Sequence, residues 1–217
     1  SGLKLDWDAI EGLTDSLGHN GVTSNYNYDL APYTWQLVQE FQGKDAIFTM
    51  PGMPIKCAGA PQKAMYLSCD HWQKTGRLSG MNVSFCNAGP VLFGCATYVP
   101  PLMKYVDKYG INLDFGHNLT KIDGASKTAW FKVTKEGEEP QMIERKFDMI
   151  HVCPPQCAPD FISKSPLANA GGWVDVDQET LQHTGFPNVF SLGDVASTPN
   201  AKTAAAARKQ APIVAQN

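Results

Sequence analysis

Apolar and polar residues follow two different periods along this chain. Leu3 and Leu5 stand two apart within 2–7 and predict a short strand. A polar stretch rich in Gly, Asn, Ser and Tyr over 14–28 predicts a loop. Residues 31–41 carry Pro32 in what would be a first turn and Gly43 just past the end, the punctuation of a helix. The apolar run over 45–50 predicts a buried strand. From there strand-like and helix-like stretches take turns. A loop over 51–59 leads to a helix over 61–74 that Gly76 stops, a strand over 81–86, a helix over 97–109 and a strand over 111–115. Two strand–helix–strand crossovers in succession predict a parallel sheet of the α/β class. Residues 129–133 and 141–147 predict an antiparallel pair joined by the charged turn 135–140, and 149–152 return to the sheet.

Beyond Pro166 the character changes. Short strands are predicted at 173–176 and 188–192, and an Ala-rich helix from Lys202 runs to Asn217. A helix without a stop signal at one end, and a Ser1-Gly2 start at the other, lead to the expectation that the chain is a piece of a longer protein.

Length and charge narrow the classes. With 217 residues the chain can bury a sizeable core without staples. Eighteen Lys and Arg against 21 Asp and Glu leave a net charge of -3 and no basic face, which argues against nucleic acid as a partner. The apolar runs fall far short of the roughly 20 residues of a membrane-spanning helix, and no signal peptide opens the chain. Six cysteines are too dilute for a disulfide scaffold, and their spacing matches no paired CxxC metal motif, so no metal is expected.

Three stretches could carry chemistry. Cys57, in IKCAGAPQKAM, stands just ahead of the helix that contains Pro61. Unpaired N–H groups and the positive end of a helix dipole stabilise a thiolate there, with Lys56 and Lys63 nearby, although a small buried thiol would also fit. In SLGDVASTPNAKTAAAA, over 191–207, an apolar strand ends in Gly193 and Asp194 before the helix near Lys202 and Thr203. Glycine there allows close backbone approach, Asp194 can accept from a ribose or ribityl hydroxyl, and the small alanines leave room for a flat ligand. An ordinary strand, capped loop and surface helix would read the same way. In HVCPPQCAPD, over 151–160, Pro154 and Pro155 end a strand in a rigid turn that can wall a crevice; Cys153 or Cys157 is either a second redox thiol or incidental. Cys69, Cys86 and Cys95 are expected in the core, and Asp70 with His71 on an exposed helix face. No GxGxxG or GxGxxA follows any strand; the loop that would hold it reads GMPIKCAGAP.

Taken together, KCAGAPQKAMYLS, HVCPPQ, GWVDVDQETLQH and NVFSLGDVASTPNAKTAAA resemble the sulfide:quinone oxidoreductase family and, more distantly, flavocytochrome c sulfide dehydrogenase. The resemblance implies two Rossmann-like domains, an FAD domain interrupted by a nicotinamide-domain-like insert. On that map 1–33 leave the flavin domain, 34–165 form the insert with Cys57, and 166–217 return to the flavin domain. Cys57 then matches the thiol beside the flavin, Gly193 and Asp194 the flavin-contacting motif, Lys202 and Thr203 the helix start beside the ring, and Pro154 and Pro155 a turn near it. The implied chemistry is sulfide oxidation through a cysteine persulfide, with electrons passing to FAD and on to a quinone. The full protein would lie peripheral to a bacterial or mitochondrial inner membrane, with oligomers allowed. The FAD fingerprint, a later cysteine and membrane-binding segments would lie outside this chain, which by itself is expected to be inactive and to hold FAD poorly. A nicotinamide-dependent flavin disulfide reductase or a non-catalytic scaffold are the competing readings.

Overall fold

A computed structural model describes residues 2–217, which divide into two compact units. Unit one gathers the residues up to Asp6, Met53–Cys57 and Pro155–Asn217; unit two gathers Trp7–Gly52 and Ala58–Pro154. The strands are β1 (Lys4–Leu5), β2 (Val22–Thr23), β3 (Asp45–Met50), β4 (Asn82–Asn87), β5 (Asn112–Phe115), β6 (His117–Asp123), β7 (Thr128–Val133), β8 (Gln141–Lys146), β9 (Met149–His151) and β10 (Gln156–Cys157). The helices are α1 (Leu13–Ser16), α2 (Ala31–Glu40), α3 (Ala60–Lys74), α4 (Val99–Tyr109), α5 (Asp160–Ser163) and α6 (Ala204–Gln216).

Unit two is the predicted α/β layer structure. Its main sheet runs β2-β9-β3-β4-β5 with every pair parallel. Ala46 to Met50 of β3 and Val83 to Asn87 of β4 are buried throughout, as inner strands of a parallel sheet covered on both faces must be. Met65, Ser68, Cys69 and Trp72 of α3 repeat at helical spacing and turn one buried face to that sheet. The Trp72 indole donates to the Val38 carbonyl at 2.8 Å, which fastens α3 to α2. Beyond Lys74 the chain reverses at Gly76, whose φ of +73° suits glycine.

Four expectations change within this unit. The polar stretch over 14–28 contains β2, an edge strand of two buried residues too short to leave a period. The predicted antiparallel pair is a three-stranded sheet, β6-β7-β8. Strand β6 hides because its register shifts between Leu119 and Lys121, a bulge that breaks the period of two. Cys69 and Cys86 are core residues, but Cys95 is exposed on the loop that enters the turn before α4. Asp70 and His71 are half-buried rather than exposed. Asp70 pairs with Lys74 at 2.7 Å, and His71 lies edge-on to Trp35 at 5.1 Å.

Unit one is smaller and less regular. Strands β1 and β10 pair antiparallel, with Lys4 opposite Cys157 and Leu5 opposite Gln156. Trp173, Val174, Val176, Leu181, Val195 and Ala196 form its core. The strands predicted at 173–176 and 188–192 are isolated bridges: Val174 with Ala168 and Ala196, Val176 with His183, and Gln182 with Phe190. Single-residue pairings of this kind bury alternate residues as a strand does, so the pattern alone does not separate them. The last helix starts at Ala204, two residues after Lys202, because the Thr203 hydroxyl caps it by accepting the Ala206 N–H at 3.1 Å. Residues 53–57 pack with unit one although they lie inside the 34–165 stretch.

Candidate functional site

Within unit one the chain brings the thiol loop and the segment ahead of α6 into direct contact. Lys202 N–H donates to the Ile55 carbonyl at 2.9 Å, and Cys57 N–H donates to the Lys202 carbonyl at 3.1 Å. Lys56 and Lys202 thereby form a parallel bridge. Cys57 has φ of +60°, a region that side chains with a Cβ seldom occupy. The Lys56 N–H donates to the Gln156 side-chain oxygen, and Gln156 is buried. So Cys57, predicted from one motif, and Lys202, predicted from another 145 positions on in the sequence, are main-chain neighbours.

Lys202 is only 2% exposed. Its ammonium donates to the Ala196 carbonyl at 2.8 Å and stands 4.3 Å from the centre of the Trp173 ring. Burial pushes this lysine below its usual range, and the Asp194 carboxylate works against that shift. Gly193 and Asp194 lie on a single helical turn over Gly193–Val195. Gly193 has φ of +73°, and its N–H donates to the Gln210 side chain of α6 at 2.8 Å. The turn is thus bound to the helix it precedes. A Cβ at Gly193 would stand 3.6 Å from that of Ala207, ordinary contact, so the backbone conformation rather than space calls for glycine.

These residues fit the edge of a flat, partly anionic group. A 13-residue helix starts at Ala204, with Thr203 as its cap, small side chains in its first turn and a buried cation two residues ahead. Ala204 and Ala205 carry the N–H groups that a first turn leaves for a ligand. Among the described residues no group of three or more His, Cys, Asp or Glu could hold a metal.

Pro154 ends the last stretch of unit two and Pro155 begins the last stretch of unit one, so the proline pair is one of the four places where the chain passes between them. Pro155 accepts the Asp6 N–H at 2.8 Å. Cys153 is buried in unit two, with its N–H donated to the Thr49 hydroxyl at 3.2 Å. Cys157 is half-buried in unit one; burial and then the Asp6 carboxylate push its thiol up, while Lys4 pulls it down. A raised thiol is a poor nucleophile at neutral pH. Gln156 and Trp173 were not singled out as site residues. Nothing in a Pro-Pro-Gln-Cys run marks its glutamine, because its role lies in a bond to a backbone 100 residues away.

Unit two shows what stands where a dinucleotide would bind. The crossover from β3 to α3 lacks the glycine fingerprint, and Pro61 removes an N–H from the first turn of α3. Strand β4 ends in Asn87 rather than an acidic residue, and its amide is committed to its own loop: it accepts from Gly89 N–H and donates to the Val91 carbonyl, both at 2.8 Å. Beside the start of α3 lies an apolar cleft of about 310 Å³ walled by Tyr66, Phe93, Tyr98 and Leu102.

No family model matches the chain. It is 39% identical over 213 residues to the mitochondrial sulfide:quinone oxidoreductase of Mus musculus, covering 98% of this chain and 47% of that protein. It is 44% identical over 219 residues to that of Dictyostelium discoideum, covering 100% and 47%. The chain therefore spans about half the length of the curated relatives it matches. Among solved structures, a chain within the mitochondrial ATP synthase of Tetrahymena thermophila aligns with a TM-score of 0.79 at 24% identity, covering 98% of this chain and 53% of that one. The sulfide:quinone oxidoreductase of Aquifex aeolicus aligns with a TM-score of 0.73 at 17% identity, covering 94% and 48%. At those identities the likeness is one of fold.

Proposed function

We propose, from its 39% and 44% identity to two curated sulfide:quinone oxidoreductases of which it spans about half, that this chain belongs to that family and carries the thiol and part of the flavin site of a sulfide-oxidising flavoenzyme. The observation that carries this reading is the clamp that fixes the strained Cys57 to Lys202, beside the capped start of α6. The insert mapped to 34–165 overlaps most of unit two and the flavin-domain segments much of unit one, while 7–33 fall in unit two and 53–57 with 155–165 in unit one.

Lys202, Thr203 and the first turn of α6 would hold the ring edge of FAD, and Gly193 with Asp194 its ribityl side. Pro154 and Pro155 would wall the ring. Bound there, FAD would supply a two-electron acceptor, and a quinone the final sink. Cys57 itself does sulfur chemistry. Hydrosulfide adds to a disulfide between Cys57 and a second cysteine, the S–S bond breaks, the second sulfur keeps the added atom as a persulfide, and Cys57 leaves as the thiolate with the bonding electron pair. The rigid turn at Cys57 holds that thiolate where it was released. The relatives' names support a mitochondrial location, and the quinone as final sink would place the full protein peripheral to a membrane. Among the described residues no helix is long and apolar enough to cross a membrane.

In the full-length protein, Cys57→Ser is expected to abolish bleaching of the flavin by sulfide while the oxidised flavin spectrum remains. Undiminished bleaching refutes the assignment. The isolated 217-residue chain is expected to purify without stoichiometric FAD, and a full flavin absorbance would show that the site is complete within it.

A further inference from the structure

The left-handed backbone of Cys57 is held from both sides. A non-glycine residue stays at φ of +60° only where its surroundings over-determine it. Two of the hydrogen bonds that do so are main-chain bonds to Lys202, at 2.9 and 3.1 Å, and no side-chain replacement deletes them. The third runs from the Lys56 N–H, in the same Ile55–Lys56 peptide whose carbonyl accepts from Lys202, to Oε1 of Gln156. Gln156 is 8% exposed and sits on β10 opposite Leu5 of β1. Its backbone belongs to the strand pair, so its side chain reaches the thiol loop from a fixed base.

We propose that Gln156 is a positioning residue for Cys57: its amide oxygen, by accepting the Lys56 N–H, locks the turn that aims the thiol and keeps the thiol loop seated on the segment that leads into α6. This rests on the reading of Cys57 as the reactive thiol. The chemistry required at position 156 is an acceptor at glutamine length. Glutamate keeps it, asparagine falls one methylene short, and leucine fills the space without an acceptor. Glutamate also brings a charge, but a carboxylate accepts from a backbone N–H at least as well as an amide does.

The test is alkylation by iodoacetamide of the whole 217-residue chain, followed peptide by peptide in a mass spectrometer from about pH 6 to about pH 9, with the exposed Cys95 as internal reference. Gln156→Leu and Gln156→Asn are expected to raise the rate at Cys57 about fivefold relative to Cys95, the population ratio that one ordinary net hydrogen bond controls. Gln156→Glu is expected to restore the parent rate and pH profile. An unchanged Cys57 rate in Gln156→Leu overturns the proposal. So does a rise shared by the buried Cys69 and Cys86, which would mean general loosening, or a Gln156→Glu protein that behaves like Gln156→Leu. Labelling reports the locking of the turn directly, so its failure is separate from that of the functional reading, which Cys57→Ser reports in the full-length protein.

Discussion

His151 ends β9 with its ring wholly buried and stacked 5.8 Å from that of Phe48. Its Nε2 accepts the Asn25 N–H at 3.0 Å, so the neutral ring carries its proton on Nδ1, which meets no partner among the described residues. Burial pushes this imidazole down to about 4, with a backbone carbonyl pulling weakly the other way. In the unfolded chain the group titrates near 6.5. Between these values the unfolded state binds a proton that the native state does not. The stability His151 contributes is therefore full above about 6.5 and is lost as pH falls toward about 4. At about 1.36 kcal/mol for each tenfold change in proton activity, the whole interval corresponds to about 3 kcal/mol. His151→Phe keeps a ring against Phe48 and cannot be protonated, but gives up the bond from Asn25, a loss of about 1 kcal/mol. The variant is expected to be the less stable protein by that amount near pH 7 and the more stable one, by about 1 to 2 kcal/mol, near pH 4.5. Urea unfolding of both proteins at matched ionic strength, followed by fluorescence, reads the difference at each pH. The two stability curves must cross. Parallel curves would falsify the picture of a buried, neutral imidazole.

Lys202 gives a second pH signature. Burial lowers it from 10.5, so the unfolded state holds this proton more tightly, and the native state gains stability as pH rises toward 10.5. Lys202→Met removes the desolvated cation and is expected to gain about 1 kcal/mol over the parent at pH 7, with the gap closing as pH approaches 10. Thermal melts at several pH values check this, and a gap independent of pH refutes it. Thiol mapping gives a third. Burial pushes both Cys69 and Cys86 up to about 12, so neither should be alkylated in the folded chain at pH 8, whereas the exposed Cys95 should react within minutes. Labelling of Cys86 at the pace of Cys95 would mean that β4 is not packed as described.

The fold was legible wherever one element spans enough residues to display a period. Strands β3 and β4 are unbroken apolar runs, and α3 repeats its buried residues at three and four, so both crossovers and the parallel sheet follow from sequence. What escaped is short or irregular: β2 with two residues, β6 with its bulge, and the single-residue bridges around Val174 and Val176. Cys95 escaped for another reason. Its neighbours Leu92 and Phe93 suggest burial, but only Leu92 turns inward. At the site, glycine, proline and cysteine are visible because each has a backbone or redox property that a sequence displays. Gln156 has neither; its part depends on where β10 lies, which pairing with β1 decides.

Two of the local features in unit one that work against its own stability are adjacent, while a third, the positive φ of the buried Leu181, lies elsewhere in its core. Cys57 holds a backbone angle that favours glycine, and Lys202 buries an ammonium that water would solvate better. Each could be relieved by a common substitution, Cys57→Gly for the first and Lys202→Met for the second, with no loss of core. The corresponding place in unit two shows the opposite arrangement. Around the crossover from β3 to α3, the amides of Asn87 and Gln62 are both bonded to nearby carbonyls, at 2.8 and 2.7 Å, and the cleft beside them is apolar. Local conflicts that persist against a stabilising alternative mark the places where a sequence serves something other than its fold. Two such conflicts joined by a pair of main-chain hydrogen bonds support the proposed site in unit one, at the junction of the thiol loop with the start of α6.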